Sequence, residues 1–321
     1  MKRLFIYLSS IILLLGSALF VGCSEDATPS IYDSIKPSDK LPVDRYYNFN
    51  EKSVPPEKPY GITVDNLGFV YVSLNGLGIK KITGDSLTVF APKGPESFFK
   101  AMTFGSDGLI YAVRGGIKGI YKITLNTIPA AFVASSQGIS DNVNDVEFDN
   151  SKNVIWAGGN TGIIYRITLD KNVKKFINLS GNINALKITS NFLYVALTDT
   201  NEQEVVWKYP VVSSDSLGAG ELFFNYTEKI DPLGKIIDIA ISEDGFLYIF
   251  SNIQWTNPSI NFGEIHRVNS SNSYEELYNG LISGSFYSFC WGLDQNAYFS
   301  NIIVGANTDV YKIDMKKNKA Q

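Results

Sequence analysis

Glu147 and Lys187 are the pair whose types and positions first suggest chemistry. Each takes the third place of a short apolar run, Asp145 to Phe148 and Ala185 to Ile188, where sister runs carry Thr63, Thr103, Ala240 or Cys290. A carboxylate and an amine so placed can pair or can exchange a proton. A buried charge without a partner is costly, so an ion pair is the structural expectation and acid–base work the alternative. The chain has one histidine, His266, in a slot filled elsewhere by Lys80, Tyr121, Tyr165, Trp207 and Tyr311, which marks a packing or surface position. A general base needs a partner in a cleft, and zinc needs more nitrogen or sulfur than one histidine and two cysteines offer. Asp65, Asp107, Asp149 and Asp244 could serve calcium as oxygen ligands, yet each stands in a turn that wants a carboxylate for its own N–H groups. No catalytic residue, metal or cofactor is assigned.

The elements that must position these residues repeat. Six copies align on a strand-two aromatic: Tyr71, Tyr111, Trp156, Tyr194, Tyr248 and Tyr298. Before each lies a strand-one run, in order Gly61 to Val64, Ala101 to Phe104, Asp145 to Phe148, Ala185 to Ile188, Asp238 to Ile241 and Ser288 to Trp291. After each comes an aliphatic and basic strand-three signature such as Ile120-Tyr121-Lys122-Ile123. Strands this short cannot bury both faces alone, so they need like neighbours stacked against them. The 20 phenylalanines, 18 tyrosines and 27 glycines suit pleated surfaces joined by turns. The fold predicted is all-β, a six-bladed β-propeller over residues 42–315 with a tail at 316–321. The sixth repeat lacks an outer strand, while Val43 to Phe49 precedes the first repeat unclaimed. The ring is therefore expected to be closed by this N-terminal strand, which removes an exposed edge.

That architecture places ligands at a channel mouth built from the links into strand one and the loops between strands two and three. The links carry Tyr60, Lys100, Asn144, Asn184 and Tyr287, and the loops carry Asn75, Arg114, Asn160, Asp199, Asn252 and Asn301. Such a ring suits a polar small molecule, glycan or peptide through hydrogen bonds and ring stacking; the alternative is that these residues only cap strands. The longest such loop, Ser251 to Gly263, adds Trp255, placed either to stack on a ligand or to cover a blade edge. With 28 basic and 32 acidic residues the chain lacks the positive excess that nucleic acid demands.

Residues 1–22 read as an export signal: Lys2 and Arg3, an apolar run from Leu4 to Phe20, then Val21-Gly22-Cys23. Leu19-Phe20-Val21-Gly22-Cys23 resembles the lipobox of bacterial lipoproteins, which implies lipid attachment at Cys23 and anchoring in a membrane. Ser24 after the cysteine fits the outer membrane in that family, with either face open. Residues 23–41, rich in Ser, Thr, Pro and Asp, read as a flexible tether. Cys290 has no partner once Cys23 is acylated, and is expected to be a small core residue.

Tyr60 to Val72 resembles an NHL-type repeat, and the stretch from Gly138-Ile139-Ser140 to Gly162-Ile163 is similar to the propeller repeat of two-component sensors. Related six-bladed enzymes include gluconolactonase-like metal hydrolases and streptogramin lyases. The hydrolases carry a metal-binding glutamate in a Glu-Gly-Pro type motif where this chain reads Lys58-Pro59-Tyr60-Gly61, and the lyases depend on histidine, of which there is only His266. The resemblance implies a binding or scaffolding module on a lipid anchor, without turnover, with a metal-dependent lactonase, hydrolase or lyase as the alternative.

Overall fold

The computed structural model describes residues 41, 43–49, 58–94, 98–213, 215–254, 261–283, 285–292, 294–302 and 308–320. The expectations for the signal segment, Cys23, the tether up to residue 40 and Trp255 lie outside them. Within them, six antiparallel sheets follow one another along the chain as the six blades of a β-propeller. The innermost strands are, in blade order, Pro59–Val64, Ala101–Phe104, Val143–Asp149, Gly181–Ile188, Gly234–Ile241 and Ser285–Trp291. Blade 4 adds a short strand, Ser216–Leu217, on the extended tip of its third strand.

Blade 6 has three consecutive strands, and its outer strand is Val43–Asn48, paired antiparallel to Thr308–Asp314 with Arg45 opposite Tyr311 and Tyr47 opposite Val310. Tyr46 meets the Tyr298 ring edge-on at 4.9 Å, and Arg45 Nε lies 3.0 Å from Asp309 Oδ2. The ring is closed by its N-terminal strand, as the missing outer strand predicts.

The core lies between blades. Each of six apolar clusters joins two neighbours, and the cluster between blades 6 and 1 includes Tyr47 and Phe49. The strand-two aromatic does this joining. Tyr71 stacks on Phe104 of the next blade, Tyr111 on Phe148, and Tyr248 meets Trp291 edge-on, while Trp156 shares a cluster with Ile188. Such ring pairs contribute about 0.5–1.5 kcal/mol each beyond burial. The same tyrosines anchor the turns: Tyr71 and Tyr111 donate their hydroxyls to Asp65 and Asp107, each at 2.8 Å, while these carboxylates also accept turn N–H groups. A turn carboxylate is thus tied to the aromatic two to three residues beyond its turn, and the turn reading of Asp65 and Asp107 has a direct structural reason.

Candidate functional site: the central channel

An innermost strand pairs on one side only, so its other edge presents N–H groups to the channel. Side chains of the preceding blade satisfy them. Asp145 Oδ2 accepts from Leu186 N–H at 2.6 Å, Asp238 Oδ2 from Phe289 N–H at 3.2 Å, and Ser288 Oγ from Ile62 N–H at 3.3 Å. These three acceptors share the first place of the strand-one run. Thr103 Oγ1, in the third place, accepts from Phe148 N–H at 3.2 Å. In the same third place Lys187 Nζ reaches back to Glu147 Oε1 at 2.6 Å, the ion pair that the sequence suggests.

The cavity these strands enclose measures about 90 Å³ and is lined by Asp145, Glu147, Lys187, Asp238, Cys290 and Lys319 among others. Burial pushes the Asp145 carboxyl up to about 6, with Glu147 adding to the effect, and pushes Asp238 well above the usual carboxylate range, with Asp145 as the second cause. Burial alone would lower the Lys187 ammonium, but Glu147 holds it above its ordinary value. The Lys100 amine is lowered by burial and drawn back up by Asp145 and Asp238, whose field it shares. The upper half of the channel thus holds two carboxyls that burial inclines to keep their protons, faced by one amine. Cys290 corrects an expectation: it is half-buried beside the channel, because the third place of the run faces the channel and not the blade interior, and burial raises its thiol.

Above this lies the upper mouth, where register shifts kink five innermost strands, between Pro59 and Ile62, Val143 and Asp145, Ile183 and Ala185, Ile236 and Asp238, and Phe286 and Ser288. A bulge re-aims the side chain it carries. Tyr60, Asn144, Asn184 and Tyr287 all occupy these bulges. Tyr60 and Tyr287 meet edge-on at 4.6 Å, and Phe98 stacks on Tyr60 at 4.0 Å, so three rings from the blade 6, 1 and 2 side form one aromatic wall. Lys100 stands two residues beyond Phe98.

The amides go elsewhere. Asn144 Nδ2 donates to Asn182 Oδ1 at 2.7 Å and to Ile183 O, Asn182 donates to Asn184, and Asn184 donates to Thr198 and Glu204. Asn252 bridges to the backbone of Phe286 in both directions, and Asp199 holds its own turn. Asn144 and Asn252 tie neighbouring blades, while Asn184 and Asp199 bond within blade 4. Arg114 is half-buried at the end of its strand and Asn160 is exposed in a turn; neither joins the aromatic wall through a described contact.

His266 is buried in the wall of blade 5, where burial lowers its imidazole to about 4. It packs, as one branch of the sequence reading has it. Its neighbour Glu264, 3.9 Å away, is pushed up to about 8 by burial, with Asp231 and Glu276 adding. Near neutral pH these are two neutral groups and not an ion pair.

Sequence reading missed Asp145 and Asp238, and the signal was present. The first place of the run reads Gly61, Ala101, Asp145, Ala185, Asp238, Ser288, two carboxylates among small residues. It also missed Phe98 and Lys319, which lie outside the repeat pattern. A divalent metal does not fit this donor set. Asp145 and Asp238 each hold a neighbouring N–H, Glu147 holds Lys187, three amines share the channel, and no cluster of three or more candidate ligands occurs among the described residues.

Solved structures with this fold include a luciferin-regenerating enzyme (TM-score 0.64, 16% identity, 88% of this chain and 97% of that one). A virginiamycin B lyase from Staphylococcus aureus aligns with TM-score 0.56 and 16% identity over 85% of this chain and 98% of the other. Regucalcin, a calcium-binding protein from Agrobacterium tumefaciens, aligns with TM-score 0.58 and 14% identity over 82% and 92%. Identities this low show a shared six-bladed propeller and nothing finer. No protein-family model and no curated protein sequence matches the chain.

Proposed function

We propose that the chain is a recognition module that binds a polyhydroxylated small molecule, such as a glycan unit, at the upper mouth. One observation carries the reading: the Tyr60, Phe98 and Tyr287 rings gather at the end of the innermost strands from which Lys100 enters, and the Lys100 amine shares the field of Asp145 and Asp238. Apolar sugar faces stack on aromatic rings, while carboxyls and amines accept and donate to hydroxyls. The Glu147–Lys187 pair ties blades 3 and 4 within the wall and takes no part in this binding. A glycan array tests this. Binding that Tyr287→Ala reduces at least tenfold, with thermal stability retained, is expected; an array without binding, or binding indifferent to Tyr287, contradicts it.

A second reading is enzymatic. Similar solved propellers carry enzyme names, and Asp145, raised to about 6, holds an exchangeable proton near neutrality. In that reading a water molecule bonds to the reacting carbon as the bond to the leaving oxygen breaks. Asp145 gives that oxygen its proton, the water releases one to solvent, and Lys100 steadies the developing charge, with no metal step, since the donors do not fit one. Turnover of a lactone or glycoside by the wild type, abolished in Asp145→Asn, would favour it over recognition alone.

A further inference from the structure

Beyond Thr308–Asp314 the chain does not leave the ring. Met315 is buried and its N–H donates to Gln295 O at 2.8 Å. The next residues run along the free edge of blade 5's innermost strand at the lower mouth. Glu243 N–H donates to Asn318 O, and Ala320 N–H to Ile241 O, each at 2.8 Å, so Lys319 lies opposite Ser242 in an antiparallel bridge. Side chains reinforce the pairing: Asn318 Nδ2 donates to Glu243 Oε2 at 3.0 Å, and Lys317 Nζ lies 3.0 Å from Asp244 Oδ2. Alternation along the extended segment sends Lys319 inward. It lines the channel cavity, where burial and then the Lys187 ammonium lower its amine while Glu147 and Cys290 draw it back up. Beside it opens a vestibule of about 470 Å³, lined by Asn66, Ser106, Asn150, Ser190 and Lys319 among others.

We propose that the lower mouth is a second binding site, for a lysine side chain delivered on an extended peptide, and that residues 316–320 of this chain are its resident occupant. The grip has two parts of different kind. Backbone pairing to an exposed strand edge supplies sequence-independent affinity, and the channel accepts one inward side chain that selects for lysine. Glu147, which lines the same cavity as Lys319, is the carboxylate that draws an inserted ammonium against the opposing Lys187. The site opens at the turn end of the channel, opposite the aromatic wall, although Lys319 and the Asp145 and Asp238 carboxyls line one cavity between the two ends.

A variant ending at Met315 should bind a synthetic peptide of residues 315–321 in trans, and the same peptide with methionine in place of its lysine at 319 should bind at least tenfold more weakly. The intact chain, its site filled, should bind neither. Equal binding of both peptides, or none to a folded truncated chain, overturns the proposal. Should the truncated chain not fold, the intact chain decides: in Lys319→Met, hydrogen exchange at the Ala320 and Glu243 amides is expected to accelerate at least tenfold, and unchanged protection overturns the proposal.

Discussion

Two carboxylates, Glu264 and Asp309, share one position near the start of the third strand, where the other blades have Gly78, Gly119, Ile163 and Val205, and in blade 4 a third, Glu204, stands one residue earlier. Glu204, Glu264 and Asp309 are all buried, and each meets different partners. Glu204 accepts from Asn184, Thr198, Ile236 N–H and the Lys235 ammonium at 3.1 Å. Asp309 faces Arg45 at 3.0 Å. Glu264 meets the Tyr226 hydroxyl at 3.4 Å and the neutral His266, so burial dominates and its carboxyl holds a proton up to about pH 8. A carboxyl raised in the folded state favours folding most below its ordinary pKa, and that contribution is lost as pH rises through the folded value. Wild-type stability should therefore fall, relative to Glu264→Gln, between about pH 4.5 and 8. Urea melts of both across that range check it; parallel curves would show that Glu264 is already ionised. This position was legible in the sequence only after the repeats were aligned, since burial and partners, not residue type, separate Glu264 from Asp309.

At the scale of elements, most of the design could be read. The strand-two aromatic, the turn aspartate and the strand-three signature each recur for a physical reason, respectively stacking between blades, tying the turn, and filling the next cluster. The borrowed outer strand was deducible because Thr308–Asp314 would otherwise present a bare edge. What escaped was anything that the repeat does not encode. Bulges leave no local sequence mark, so their side chains read as a uniform polar ring, whereas the tyrosines gather into a wall and the asparagines turn to neighbouring strands. Tyr47 and Phe49 fill the cluster that fastens blade 6 to blade 1. Truncating a buried aromatic costs about 3–5 kcal/mol, so Tyr47→Ala should lower stability by that order. A thermal or denaturant midpoint left in place would mean that the ring closes by other contacts.

At the scale of the whole molecule, the channel has two unlike ends. The upper end is aromatic and faces two protonatable carboxyls and a lysine; the lower end is crossed by the chain's own segment, which brings in Lys319. Between them the Glu147–Lys187 pair bridges blades 3 and 4. Taking two charges out of water is costly, so this pair is better placed to fix register between blades than to add net stability. Function cannot follow from the ring itself, which hosts unrelated activities on one scaffold. It has to come from residues that break the repeat, as Phe98 does at the upper mouth and Lys319 at the lower. A crystal structure of the protein with an array-selected glycan tests this most directly. The account predicts density against Tyr60, Phe98 and Tyr287, with hydroxyls toward Asp145 or Asp238; density on an outer blade face, with the upper mouth empty, would contradict it.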